Sequence, residues 1–228
     1  MRTLNSIGVA KNLEFSPVTE QRYLELFGAP ASMLAARTRE GSAEAILVAS
    51  GWRGEGTTTI TLGLALTLHL RYGARVLVVE MNFSRPVFAP LFNITDNRSW
   101  EEIAGGHASL FDACTPISDG LFVLPGCHAS PALRRAVPQA LKHIVQEANG
   151  KFDVVLIDTP PVLEGGDAVI AGKVVPHLLL VVEAGHASIE SLARVRAVLD
   201  GQGVAVIGSI LNKSRSYMPK WLYRRLNK

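Results

Sequence analysis

Gly51, Gly54 and Gly56 lie in the run Ser50-Gly51-Trp52-Arg53-Gly54-Glu55-Gly56-Thr57-Thr58-Thr59, which follows the apolar segment Ala45 to Ala49. Glycines at this spacing let consecutive backbone N–H groups turn toward one anion, as in a phosphate-binding loop of the pattern G-x-x-x-x-G-K-[ST]. Gly51 through Gly56 match that pattern and Thr58 stands at its hydroxyl position, but Thr57 occupies the place of the lysine. The missing ammonium is the group that would neutralise the outer phosphates, and phosphoryl transfer depends chiefly on such positioning and electrostatics. Arg53 either supplies a cation from another direction or points to the tip of the loop.

Carboxylates at two further strand ends complete the constellation. Asp158 follows the apolar run Val154 to Ile157, where a carboxylate can order a magnesium ion or its water shell, although a turn carboxylate before Pro160 and Pro161 would look the same. Glu80 and Asn82 follow the apolar run Val76 to Val79, but a Glu-x-Asn pair has no dedicated chemistry of its own. Arg85-Pro86 either contacts a phosphate or forms a surface turn, and the turn is the simpler reading. The six histidines show no paired metal spacing and no companion nucleophile motif, and the two cysteines, Cys114 and Cys127, lack metal-ligand spacing.

These residues need a scaffold that brings strand ends together. Apolar runs predict strands over Ala45 to Ser50, Arg75 to Glu80, Leu121 to Leu124, Val154 to Ile157, His177 to Val182 and Val204 to Leu211. Between them, helical periodicity covers Thr58 to Tyr72, Asn97 to Gly105, Pro131 to Ala148, Asp167 to Val174 and Ser188 to Gly201. Alternating strands and helices, with strands apolar on both faces, predict an α/β fold: a mostly parallel central sheet flanked by helices in three layers, with the ligand groups at its carboxyl edge.

A chain of 228 residues with 48% hydrophobic and 19% charged residues can bury one full core, so a single large domain is expected. No apolar run approaches the length of a membrane span, and the start of the chain lacks the apolar stretch and cleavage site of a secretory signal, so a cytoplasmic location is expected. Residues 213–228 hold six of the 23 basic side chains and none of the 20 acidic ones, which leaves −3 on residues 1–212. The basic character therefore belongs to the tail, and nucleic-acid binding by the globule is not implied. If Pro219 opens a helix, Leu222, Tyr223 and Leu226 share one face and Lys220, Arg224 and Lys228 the other. Such a helix suits an anionic membrane surface or an acidic partner, or else packs on its own domain.

The order of these motifs resembles the bacterial tyrosine autokinases of exopolysaccharide machinery, relatives of the MinD and ParA ATPases. The resemblance is carried by Ser16-Pro17-Val18-Thr19-Glu20, the glycine loop, Val76 through Pro86, Phe152-Asp153-Val154 through Asp158-Thr159-Pro160-Pro161-Val162, Gly120 to Gly126, and Ile207 to Asn212. It implies a P-loop NTPase-like fold divided into a helical N-terminal segment (1–44), the nucleotide-binding domain (45–212) and a basic amphipathic tail (213–228). It also implies ATP or ADP bound by Gly51, Gly54, Glu55, Gly56, Thr57, Thr58 and Thr59, with Asn212 near the adenine. Magnesium would sit at Thr58 and Asp158. Where the family has a lysine and two aspartates, this chain has Thr57, Glu80 and Asn82, which weakens both nucleotide binding and catalysis by Asp158 and Glu80.

Family members form rings through an N-terminal Glu-x-x-Arg-x-x-Arg helix, of which only Glu20 is kept, Tyr23 and Leu26 replacing the arginines; this leaves the oligomeric state open. Their phosphorylated tyrosine cluster reduces here to Tyr217 and Tyr223. The expected function is therefore a cytoplasmic regulator of exopolysaccharide polymerisation and export, with a degenerate loop and little or no kinase activity. Such a regulator would sit at the inner membrane through a chain-length-determining co-polymerase. The alternatives are an active tyrosine autokinase and a MinD- or ParA-like positioning ATPase.

Overall fold

The computed structural model describes residues 17–39, 41–95 and 100–214. The chain begins with helix α1 (Pro17–Ala35), then strand β1 (Glu44–Ser50), the glycine loop, helix α2 (Thr57–Tyr72) and strand β2 (Val76–Glu80). Two short helices follow, α3 (Phe88–Leu91) and α4 (Trp100–Ala104), then α5 (Leu110–Ala113) and the hairpin strands β3 (Thr115–Ser118) and β4 (Leu121–Leu124). Helix α6 (Pro131–Ala148) leads to β5 (Val154–Asp158), α7 (Asp167–Gly172) to β6 (His177–Glu183), and α8 (Ile189–Asp200) to β7 (Ala205–Asn212).

The seven strands form one sheet in the order β3-β4-β2-β5-β1-β6-β7, parallel except for the β3–β4 pair. The mostly parallel three-layer α/β fold is therefore as the alternation of strands and helices predicts. In β1, Leu47 and Ala49 face one core with α4, α6, α7 and α8, while Ile46 and Val48 face the other with α1 and α2. Covering on both faces is why these strands read as continuous apolar runs rather than alternating ones.

Three features were not predicted. Helices α3 and α5 span four residues each, too short for a periodic signal. Strand β3 carries Pro116 and pairs antiparallel at the sheet edge, with a register irregularity between Pro116 and Ser118; proline is tolerated there because an edge strand need not donate on both sides. The helix predicted over Asn97 to Gly105 is present from Trp100, residues 97–99 lying outside the described ones.

Helix α1 packs across α2, where Phe27 lies on Gly63 at a distance that any Cβ would invade. Tyr23, at one of the positions where the family has arginine, stacks on Phe27 with ring centroids 5.7 Å apart, and Leu26, at the other, is exposed. Among the described residues no helix is long and apolar enough to cross a membrane. Tyr217 and Tyr223 and the rest of the predicted tail helix lie outside the described residues.

Candidate nucleotide-binding site

Strands β2, β5 and β1 are neighbours and end at the same edge, with Glu80 opposite Asp158 in the register and Val48 opposite Asp158 on the other side. The sheet thereby brings together the glycine loop after β1, Asp158 at the end of β5 and Glu80 at the end of β2. Gly54 and Gly56 take φ values of 89° and 95°, in the left-handed region that glycine enters without steric cost, and these two residues shape the loop. Gly56 has a second constraint: the Asn212 amide lies where its Cβ would be.

Inside the loop, two backbone N–H groups are met by carboxylates. Trp52 N–H donates to Glu55 Oε2 at 2.9 Å, and Arg53 N–H donates to Glu164 Oε1 at 2.7 Å. Glu55 is buried, and its other oxygen accepts from Glu183 N–H at 3.2 Å, anchoring the loop to the end of β6. Among the described residues, the N–H groups of Gly54, Glu55, Gly56, Thr57, Thr58 and Thr59 find no acceptor. Six unspent donors in sequence, the last three opening a helix of 16 residues, make a cradle for an anion.

Thr57 and Thr58 point to different tasks. Thr57 Oγ1 donates to Ser50 Oγ at 2.9 Å, and Ser50 Oγ in turn donates to Trp52 O at 2.8 Å, so the hydroxyl at the lysine position is spent beneath the loop. Thr58 Oγ1 donates to Asp158 Oδ2 at 2.7 Å. Asp158 is 1% exposed, and its Oδ1 is buried with no partner among the described residues. Burial raises its pKa from 3.8 to about 7 against the lowering effect of the Thr58 hydrogen bond, with the Glu80 charge adding to the rise.

The pair fits a magnesium ion. A hydroxyl oxygen and a buried carboxylate oxygen left without a donor are hard ligands of the kind that ion takes, with water and phosphate oxygens supplying the rest of its shell. Asn82 Oδ1 is likewise buried and unpartnered, close in sequence to Glu80.

Glu80 is placed differently from Asp158. Its oxygens accept from the N–H groups of Val87, Phe88 and Gly126, so the carboxylate caps the start of α3 and fixes the turn after β4. Burial raises its pKa, opposed by these three backbone donors.

The cations near the loop are engaged. Arg53 Nε pairs with Glu164 Oε2 at 3.0 Å. Lys213 Nζ donates to Gly54 O at 2.7 Å and to Glu183 Oε2 at 2.9 Å, while Asn212 Nδ2 donates to Glu55 O at 2.8 Å. Asn212, predicted near an adenine, thus stands against the loop itself. Lys213, assigned by sequence to the tail, is bonded into the domain. Ser50, Glu164, Glu183 and Lys213 were not among the predicted site residues. Their only sequence signal is position: Ser50, Glu183 and Lys213 are at or just beyond the carboxyl end of a strand, and Glu164 is in the loop that follows β5.

Residues 44–203 match the family model described as cellulose biosynthesis protein BcsQ. An uncharacterized ATP-binding protein of Methanocaldococcus jannaschii is 31% identical over 172 residues, 74% of this chain and 64% of that protein, so the match spans less than two thirds of that relative. The tyrosine-protein kinase YwqD of Bacillus subtilis is 25% identical over 171 residues, 74% of this chain and 72% of its own.

Among solved structures, the kinase domain of the Escherichia coli tyrosine kinase ETK superposes with a TM-score of 0.74 at 22% identity, covering 86% of this chain and 79% of that one, a likeness of fold. The septum site-determining protein MinD of Pyrococcus horikoshii, complexed with Mg-ADP, superposes with a TM-score of 0.63 at 26% identity, covering 81% and 77%. With more than half of its residues inside the matched model, the chain belongs to the cellulose biosynthesis protein BcsQ family, and its domain is similar to those of bacterial tyrosine-protein kinases.

Proposed function

We propose that this protein is a regulatory component on the cytoplasmic side of an exopolysaccharide polymerisation and export machine, binding nucleotide weakly and transferring little or no phosphate. The observation that carries this reading is Thr57, whose hydroxyl is bonded to Ser50 beneath the loop where the autokinases have an ammonium. Neither Arg53 nor Lys213 presents its charge to the phosphates directly: Arg53 is paired with Glu164, and Lys213 bonds the carbonyl of Gly54. Glu80 holds backbone instead of facing the site with a free oxygen. Thr58 and Asp158 would hold a magnesium ion, which when bound offsets phosphate charge. The chain's own contribution is the N–H cradle that orients the phosphates. The partner is a membrane-embedded polysaccharide co-polymerase, with the basic tail adding attraction to an anionic membrane surface.

The test is titration of the purified chain with a fluorescent ATP analogue in magnesium, beside Thr57→Lys, together with an anti-phosphotyrosine blot of the protein from cells that contain the co-polymerase. Weak binding and an unlabelled tail are expected. A phosphorylated wild-type tail at Tyr217 or Tyr223 that disappears in Asp158→Asn would end this reading. It would establish the second one, an active autokinase, which the intact Thr58–Asp158 pair favours.

A further inference from the structure

The loop's outward carbonyls are held from the edge strand. Lys213 Nζ donates to Gly54 O at 2.7 Å, and Asn212 Nδ2 donates to Glu55 O at 2.8 Å. The Gly54 carbonyl shares a peptide group with Glu55 N–H, and the Glu55 carbonyl shares one with Gly56 N–H. Both of those N–H groups are among the six without an acceptor. A donor bound to the carbonyl side fixes the plane of the peptide, so that its N–H faces the opposite way, into the cradle. It also polarises the peptide, strengthening that N–H by roughly 10–30% per bond, and a charged donor gives the stronger effect.

The pair of donors is itself held in place. Lys213 has φ of 55°, a left-handed conformation that non-glycine residues rarely adopt, and its N–H donates to Asn212 Oδ1 at 2.8 Å. Its ammonium is steadied by Glu183 Oε2 at 2.9 Å, and Glu183 N–H is bound by the Glu55 carboxylate, which closes a circuit from loop to β6 to β7 and back. A second feature points to a ligand at the same place: the unpartnered, buried Oδ1 of Asp158, whose other oxygen holds Thr58 of the loop.

We propose that Lys213 and Asn212 are positioning residues that make the backbone cradle of residues 54–59 a site for the diphosphate of a nucleoside diphosphate, in place of the lysine that the loop lacks. The inference rests on the nucleotide-binding reading above. Lys213 polarises the loop from outside, whereas a loop lysine would meet the outer phosphates directly. Each further phosphate therefore adds charge that neither Arg53, paired with Glu164, nor Lys213, bonded to the Gly54 carbonyl, meets directly, which favours a diphosphate over a triphosphate.

The experiment is isothermal titration calorimetry of the full chain with ADP, ATP and inorganic pyrophosphate in magnesium, for the wild type, Lys213→Met, Lys213→Arg, Thr57→Lys and the Thr57→Lys/Lys213→Met double variant. Apo melting temperatures are read alongside. ADP is expected to bind the wild type more tightly than ATP. Lys213→Met weakens ADP and pyrophosphate about tenfold, and Lys213→Arg recovers binding to within about threefold, as expected for loss and return of a charge-assisted bond. In the Thr57→Lys background the same Lys213→Met change costs about threefold or less, because a loop ammonium now meets the phosphates. The inference alone is overturned if Lys213→Met leaves ADP binding unchanged. It is also overturned if the variant costs the same in both backgrounds in step with a lowered apo melting temperature, or if the wild type prefers ATP. If the wild type binds neither ADP nor pyrophosphate while Thr57→Lys binds both, the nucleotide reading of the natural chain falls, and the inference with it.

Discussion

The Thr58 hydroxyl donates to one oxygen of Asp158 at 2.7 Å, and the other oxygen of that buried carboxylate has no partner among the described residues. A hydroxyl and a carboxylate of the kind that a magnesium ion takes are thus in contact, on a glycine loop that carries a second threonine, Thr57, beside the first. Kept and lost features of the site lie on adjacent residues, so single substitutions separate them.

Thr57→Lys should raise affinity for a Mg-ATP analogue by about tenfold or more, because a charge-assisted bond to phosphate contributes roughly 1.5–3 kcal/mol. The variant also loses the Thr57–Ser50 hydrogen bond, which costs about 1 kcal/mol of stability without ligand. Fluorescence titration and urea unfolding read the two effects. An unchanged affinity would mean that the loop fails to aim a lysine at the ligand.

The Asp158 carboxyl has a folded-state pKa of about 7 against an ordinary 3.8, raised mainly by burial. Between those values the native state binds more protons than the unfolded chain, so stability is greatest below pH 4 as far as this group is concerned and falls as pH rises toward 7. Relative to Asp158→Asn, whose amide oxygen can still accept from Thr58, the apo wild type should lose up to about 4 kcal/mol over that window. Urea midpoints measured from pH 4 to 8 test this, and parallel curves for the two proteins would refute it.

Glu80→Ala should unfold the protein at markedly lower denaturant, since it strands the buried N–H donors of Phe88 and Gly126 and the donor of Val87. A cost of about 3 kcal/mol or more follows from leaving several buried donors unmet. Glu80→Gln keeps one accepting oxygen and should cost about half as much. A loss of nucleotide affinity at full stability would instead assign Glu80 to the ligand.

Gly63→Ala should destabilise by about 1–3 kcal/mol through overpacking, because the added methyl meets the Phe27 ring where α1 crosses α2. Phe27→Leu in the same chain should return part of that loss. Thermal unfolding of the two variants and the double variant reads the coupling, and strict additivity would mean that the two residues do not share the contact.

Much of the fold is legible in the chain because parallel strands covered on both faces leave short, wholly apolar runs, and Val76 to Val79 and Val154 to Ile157 stand out on that account. Glycine at Gly51, Gly54 and Gly56, the hydroxyl at Thr58 and the carboxylate at Asp158 are likewise visible, since a loop that turns N–H groups inward needs particular residue types at particular steps. The edge strand Thr115–Ser118 is not visible, because Pro116 and a four-residue span carry no period.

Glu80 shows where such reading stops. A glutamate at the end of an apolar strand looks the same whether its oxygens face a ligand or three backbone donors, and those donors come from Val87, Phe88 and Gly126, the last of them 46 residues away. Lys213 is similar: it reads as the first charge of a basic tail, yet its ammonium is bonded to Gly54, 159 residues earlier. The residue types alone determined that a glycine loop ending in Thr57 and Thr58 would stand at the carboxyl edge of a parallel sheet, because local steric rules and strand burial act through near neighbours. Which side chains hold the loop from outside was decided by the order of strands in the sheet, which sets β6 and β7 beside β1 and brings their ends against the loop; contacts made across such distances in the chain leave no local pattern to read.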